Sequence, residues 1–85
     1  MGRWVSSRSY QAAISILVGA RRQAGLTQRD LASRLAKPPS FIAKIETGER
    51  RLDIVEFVAI ARVLGIPPDT IIGKIDAAIA ENIDI

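Results

Sequence analysis

Cysteine and histidine are absent from this 85-residue chain, and methionine, tryptophan and tyrosine occur once each. Without cysteine there is no disulfide and no thiolate nucleophile; without histidine there is no imidazole base, and the ligands of most zinc sites are missing. No metal or other cofactor is expected. The chain reads as a non-enzyme of a reducing compartment, the cytoplasm. Long apolar runs are missing too. Arg21 and Arg22 cut the longest apolar stretch well short of the roughly 18 residues of a membrane span, and no secretory h-region opens the chain. The first six residues, MGRWVS, fit the M-G-x-x-x-S/T myristoylation pattern, which is short enough to match often by chance.

What is present is apolar and basic. With 48% apolar and 25% charged residues the composition is that of a globular domain, and 85 residues form one, spanning 1–85. A domain of this size buries only about 60% of its unfolded surface, so self-association is a natural supplement to its stability. The net charge of +3 conceals an asymmetry. Residues 1–51 hold ten Lys/Arg against three Asp/Glu, a net +7; residues 52–85 hold two against six, a net −4. The basic part is the candidate surface for a polyanion, and the acidic part is expected to face away from it.

No stretch alternates with period two, whereas helical punctuation is dense. Ala13, Ile14, Leu17, Val18, Arg21 and Ala24 recur at three and four, and Gly25 stops that helix. Thr27 with Asp30 starts a second helix in a capping-box arrangement, with Leu31, Ala32 and Leu35 inward. Lys37 and Pro38 each precede a proline and are pushed out of the α region, so the helix ends there. Pro39 then fits the first position of a third helix, which buries Ile42 and Ile45 and stops at Gly48. Asp53 with Glu56 starts a fourth helix, closed by Gly65. Pro68 and Asp69 start a fifth, along which Ile71, Ile72, Ile75, Ile79 and Ile83 fall on one stripe. The predicted fold is all-α, with five helices.

Two short helices joined by about three residues form a helix-turn-helix, whose second member enters the DNA major groove. The segment GLTQRDLASRLAKPPSFIAKIETGERR resembles the phage-repressor-like, Cro/repressor (Xre) class of helix-turn-helix regulators. The matching elements are GLTQ, a small Ala32 where two helices cross closely, the anchors Ile42 and Ile45, and IETGERR. The following LDIVEFVAIARVLGIPPDTI is similar to the next segment of that class, so the likeness covers about residues 10–72. It implies a compact lambda-repressor-like domain acting as a transcriptional regulator, most simply a repressor, in a prokaryote, phage or mobile element. Rival readings are an antitoxin, the controller of a restriction-modification operon, or a protein-interaction module that has lost DNA binding.

Residue roles follow. Arg21 lies on the apolar stripe of the first helix, where an unpaired charge is expensive. The resemblance implies that it forms an ion pair with Glu46, a scaffold role. Gln28, in the first turn of the second helix, is placed for a phosphate, and the family also uses it for a base. The third helix is expected to present Pro39, Ser40, Ala43, Lys44 and Thr47, with Ser40 and Lys44 able to read base edges. Family members often carry a polar base-reading residue where Pro39 stands; a proline has no donor, which shifts readout toward Ser40, Lys44 and DNA shape. Phe41 either packs on a thymine methyl or the sugar backbone, or seals the core. Arg50 and Arg51 suit phosphates, as do Arg29 and Lys37. Ile71, Ile75, Ile79 and Ile83, in a C-terminal part (73–85) of helix end and tail, are the expected contact of a homodimer on a palindromic operator. The alternative role for the ending ENIDI is to bind another protein instead, and the sequence does not decide between them.

Overall fold

The computed structural model describes residues 7–80 and 83–85. The myristoylation pattern lies outside the described residues. Five helices appear, α1 (Arg8–Gln23), α2 (Gln28–Arg34), α3 (Ser40–Thr47), α4 (Ile54–Leu64) and α5 (Pro68–Ala78), with no strand among the described residues. Both capping boxes read from the sequence form. The Thr27 hydroxyl accepts from the Asp30 N–H while the Asp30 carboxylate accepts from the Thr27 N–H, and Asp53 and Glu56 do the same at the start of α4. Each box satisfies two N–H groups that have no partner within the helix.

Packing joins all five elements into one core. α1 lies against α5 and α3, α2 against α3 and α4, and α4 against α5. Ile14 and Leu17 of α1, Leu31 and Ala32 of α2, Ile42 and Ile45 of α3, Ile60 and Ala61 of α4, and Ile71 of α5 are buried together. Ala32 has no exposed surface.

The C-terminal part corrects one expectation. The isoleucines of α5 do not form a single exposed stripe. Ile71 is only 1% exposed and belongs to the chain's own core, where complete burial of such a side chain is worth about 1.5–3 kcal/mol. The helix ends at Ala78, so Ile83 stands beyond it and is 63% exposed. Ile72 is exposed, and Ile75 and Ile79 are half-buried. The tail returns to α1: the Asp84 carboxylate accepts from the Arg8 N–H at 3.0 Å, and the Asp84 N–H donates to the buried Ser9 hydroxyl at 2.8 Å.

The turn between α2 and α3 has one unexpected conformation. The Lys37 N–H donates to the Ala32 carbonyl at 2.9 Å and the Ala36 N–H to the Ser33 carbonyl at 3.0 Å, a Schellman ending. The left-handed residue of that ending is Ala36, with φ +57°, where α1, α3 and α4 use Gly25, Gly48 and Gly65. Pro39 has helical angles (φ −55°, ψ −29°) just ahead of α3, and no side chain caps that helix. A Cβ in the left-handed region costs about 1–2 kcal/mol, and the greater freedom of unfolded glycine offsets about 0.5–1 kcal/mol of any relief. Ala36→Gly is therefore expected to stabilise the fold by about 0.5–1 kcal/mol, read as a higher urea midpoint at unchanged slope; an equal or lower midpoint would contradict the strain.

Candidate nucleic-acid interface

The recognition unit is held by one polar cluster. The Arg21 guanidinium meets Glu46 through Nε to Oε2 at 2.7 Å and Nη2 to Oε1 at 3.0 Å, and its Nη1 donates to the Leu26 carbonyl at 2.9 Å. Gln28 Nε2 donates to Glu46 Oε1 at 2.7 Å. Residues of α1 and α2 thus converge on one carboxylate of α3, while Arg21 also holds the α1–α2 turn. The Arg21 and Glu46 side chains are only 9% and 12% exposed, so each charge depends on the other. No buried side-chain polar atom among the described residues lacks a partner. The Arg21–Glu46 pair is as the resemblance implied. The Gln28 contact went unforeseen: one amide hydrogen of this residue is already committed to Glu46.

The other face of α3 carries the expected polar set. Pro39, Ser40, Lys44 and Thr47 are exposed, and Ala43 is half-buried between them. Thr47 Oγ1 lies 3.3 Å from the Lys44 carbonyl and 3.4 Å from Glu49 Oε2. Phe41 turns inward; it is 9% exposed and part of the core, which resolves the alternatives for this ring in favour of the seal.

Around the unit the basic residues are held by aromatic rings. Lys37 Nζ is 5.3 Å and the Arg50 guanidinium 4.8 Å from the centroid of Phe41, while the Arg51 guanidinium is 4.8 Å from that of Tyr10. The Tyr10 hydroxyl accepts from the Leu52 N–H at 2.9 Å, so α1 fixes the loop after α3. Lys37 and Arg51 keep their charge at the surface, as does Arg29 on α2. Arg50 differs. Both of its terminal nitrogens reach the Glu56 carboxylate, at 2.8 and 2.6 Å, and its side chain is 41% exposed. Glu56 thereby serves twice, capping α4 through the Asp53 N–H and binding Arg50. Sequence spacing signals the cap, because both partners lie within one helical turn; it carries no signal for the Arg50 pair, the Tyr10 anchor or the Gln28 contact, which depend on how the elements pack.

This geometry has known counterparts. The helix-turn-helix family HTH_3 matches residues 19–71. The chain belongs to this Xre/Cro-type family of DNA-binding transcriptional regulators. An XRE-family like protein from Pseudomonas syringae pv. tomato str. DC3000 is 44% identical, with 82% of this chain and 85% of that one covered and a TM-score of 0.78. Two more distant structures share the fold. The wild-type restriction-modification controller protein C.Esp1396I is 22% identical over 89% of this chain and 100% of its own, with a TM-score of 0.79. The clp gene regulator ClgR from Corynebacterium glutamicum is 19% identical over 85% and 77%, with a TM-score of 0.73. No curated protein matches the chain. Among the described residues no cluster suits a metal ion and no helix is long and apolar enough to cross a membrane.

Two measurements test the scaffold. Arg21→Ala leaves the buried Glu46 charge uncompensated and is expected to cost about 3–5 kcal/mol, visible as a large drop in melting temperature; an unchanged melt would remove the pair from the scaffold. The second is a pH titration. The Arg50 guanidinium, against the opposing effect of burial, holds the Glu56 carboxyl below the ordinary glutamate range. A depressed folded value means that the unfolded chain takes up the proton first. This contribution is thus fully present above about pH 4.3, the unfolded value, and is lost as pH falls through the lower folded value. Urea unfolding followed downward from neutral pH is expected to show a loss that Glu56→Gln reduces; identical pH slopes for the two proteins would contradict it.

Proposed function

We propose that the chain represses transcription by binding a palindromic operator as a homodimer, with α3 in the major groove and no enzymatic activity. The observation that carries this reading is the exposed face of Pro39, Ser40, Lys44 and Thr47 on a helix whose opposite side is locked by the core and by Glu46. Lys44 and Ser40 are the base readers, Lys44 toward guanine O6/N7 and Ser40 toward several base edges. Pro39 presses its ring on a thymine methyl, and Thr47 completes the face. Arg29, Lys37 and Arg51 meet phosphates. Gln28 adds a polar contact through the amide atoms that Glu46 does not use. Arg50 reaches a phosphate only alongside or in exchange for Glu56.

Dimerisation rests on the isoleucines that the core leaves available. Ile72, Ile75, Ile79 and Ile83 keep apolar side chains exposed or half-buried in the acidic part of the chain. A two-fold pair sets the two α3 helices about 34 Å apart, one turn of DNA. Binding on this scheme is salt-dependent, because cations released from phosphates supply much of the affinity.

Selection from a random DNA pool, combined with a solution mass, is the direct test. A palindromic consensus and a dimeric mass are expected; failure of the wild-type protein to shift any duplex at low salt would leave a protein-interaction module instead. Arg51→Ala is expected to weaken all sequences by a similar factor and to lower the slope of log affinity against log salt by about one. Lys44→Ala is expected to reorder the preferred sequences, and an unchanged ranking would remove Lys44 as a base reader.

A further inference from the structure

The basic loop after α3 already holds an anion of the chain's own. Lys37 Nζ and the Arg50 guanidinium both stand by the ring of Phe41, at 5.3 and 4.8 Å from its centroid, so two cations share one aromatic support. The Glu56 carboxylate, in the first turn of α4, meets Arg50 through Nη1 at 2.8 Å and Nη2 at 2.6 Å. That parallel fork is the geometry in which a guanidinium also takes a phosphate. Arg50 Nη1 gives its other hydrogen to the Arg51 carbonyl at 2.9 Å.

Glu56 is fixed in that place from a second side. Its Oε1 also accepts from the Asp53 N–H at 3.0 Å in the capping box of α4, and the side chain is mostly buried. A phosphate that approaches the Arg50 N–H groups left over therefore meets a stationary like charge, and repulsion opposes the contact. A phosphate that takes the place of Glu56 exchanges two charge-assisted hydrogen bonds for two others and leaves the carboxylate unpaired beside it. By either route Arg50 gains little from DNA. Arg51 differs, since its guanidinium rests on the Tyr10 ring and forms no ion pair with any described residue.

We propose that Glu56 is an internal substitute for phosphate, an autoinhibitory contact that withholds Arg50 from DNA and so lowers the affinity of the chain for duplexes of any sequence. The inference rests on DNA binding through α3 and assigns a restraint to that same surface. The restraint is independent of sequence, because a phosphate carries no base information.

A charge-balanced set of variants of the full chain tests it. Glu56→Gln keeps an acceptor for the Asp53 N–H, as glutamine does in a capping box, but removes the charge that holds Arg50. Asp76→Asn, at an exposed carboxylate on α5, makes the same change of net charge elsewhere. Arg50→Met combined with Glu56→Gln removes both charges, restores the wild-type net charge and keeps a long side chain beside Phe41. Affinity for a random-sequence duplex is measured across a salt series, with a thermal melt for each variant. Glu56→Gln is expected to bind several-fold tighter than wild type and than Asp76→Asn, with a salt slope steeper by about one, as one added phosphate contact should give. The double variant is expected to return to wild-type affinity and slope. The restraint is overturned if Glu56→Gln binds no tighter than Asp76→Asn, which makes Glu56 a strut of the loop. It is overturned equally if the double variant binds more weakly than wild type with a slope lower by about one, which means that Arg50 already meets a phosphate beside Glu56. Absence of duplex binding by wild type and every variant overturns DNA binding itself, a result distinct from both.

Discussion

A single largely buried carboxylate organises the recognition unit. Glu46 accepts from Arg21 on α1 and from Gln28 on α2, while Arg21 also holds the carbonyl of the turn between them. Hydrophobic contact alone would let α3 slide or roll, because dispersion and burial have little directional preference. A planar fork on a carboxylate does not permit that: a shift of either helix breaks two parallel hydrogen bonds in a place largely closed to water. The same pairing lets an acidic residue stand on the helix proposed to enter DNA, since its charge is neutralised from within.

Outside that centre, cations are positioned rather than merely present. Phe41 contributes its body to the core and its ring face to Lys37 and Arg50, while Tyr10 carries Arg51 on its ring and anchors Leu52 with its hydroxyl. A lysine or arginine free in solvent loses rotamer entropy when it meets a partner. Side chains already resting on rings have part of that loss behind them. Two aromatic residues thereby link the small core to the charged periphery of the proposed DNA face.

Much of this was legible in the chain. Helix starts and stops rest on local chemistry, so Thr27 with Asp30, Asp53 with Glu56, and Gly25, Gly48 and Gly65 declared themselves within a few residues. The ion pair of Arg21 and Glu46 was legible only through family likeness, since the two stand 25 positions apart. What stayed hidden depended on packing. Periodicity placed Ile71 and Ile83 on one stripe, yet neither the depth to which the core draws Ile71 nor the end of the helix at Ala78 is written in a spacing of three and four. Arg50 counted as a surface charge until Glu56, already assigned to a cap, proved to have room for it. The left-handed Ala36 had no glycine to announce it.

The described tail residue Asp84 returns to the start of α1. With Arg8 and Asp84 in direct hydrogen bond, and Asp84 also bound to Ser9, the described chain is close to a ring. In such a topology the place where the polypeptide is cut matters less than the order of its helices. A short peptide joining Asp84 to the start of α1, with a new opening in the turn at Ile66 and Pro67, would keep the order α1–α2–α3–α4 unbroken and leave α5 leading into α1. The recognition unit would then sit in the middle of the chain, and a domain fused at either new end would leave from the α4–α5 turn.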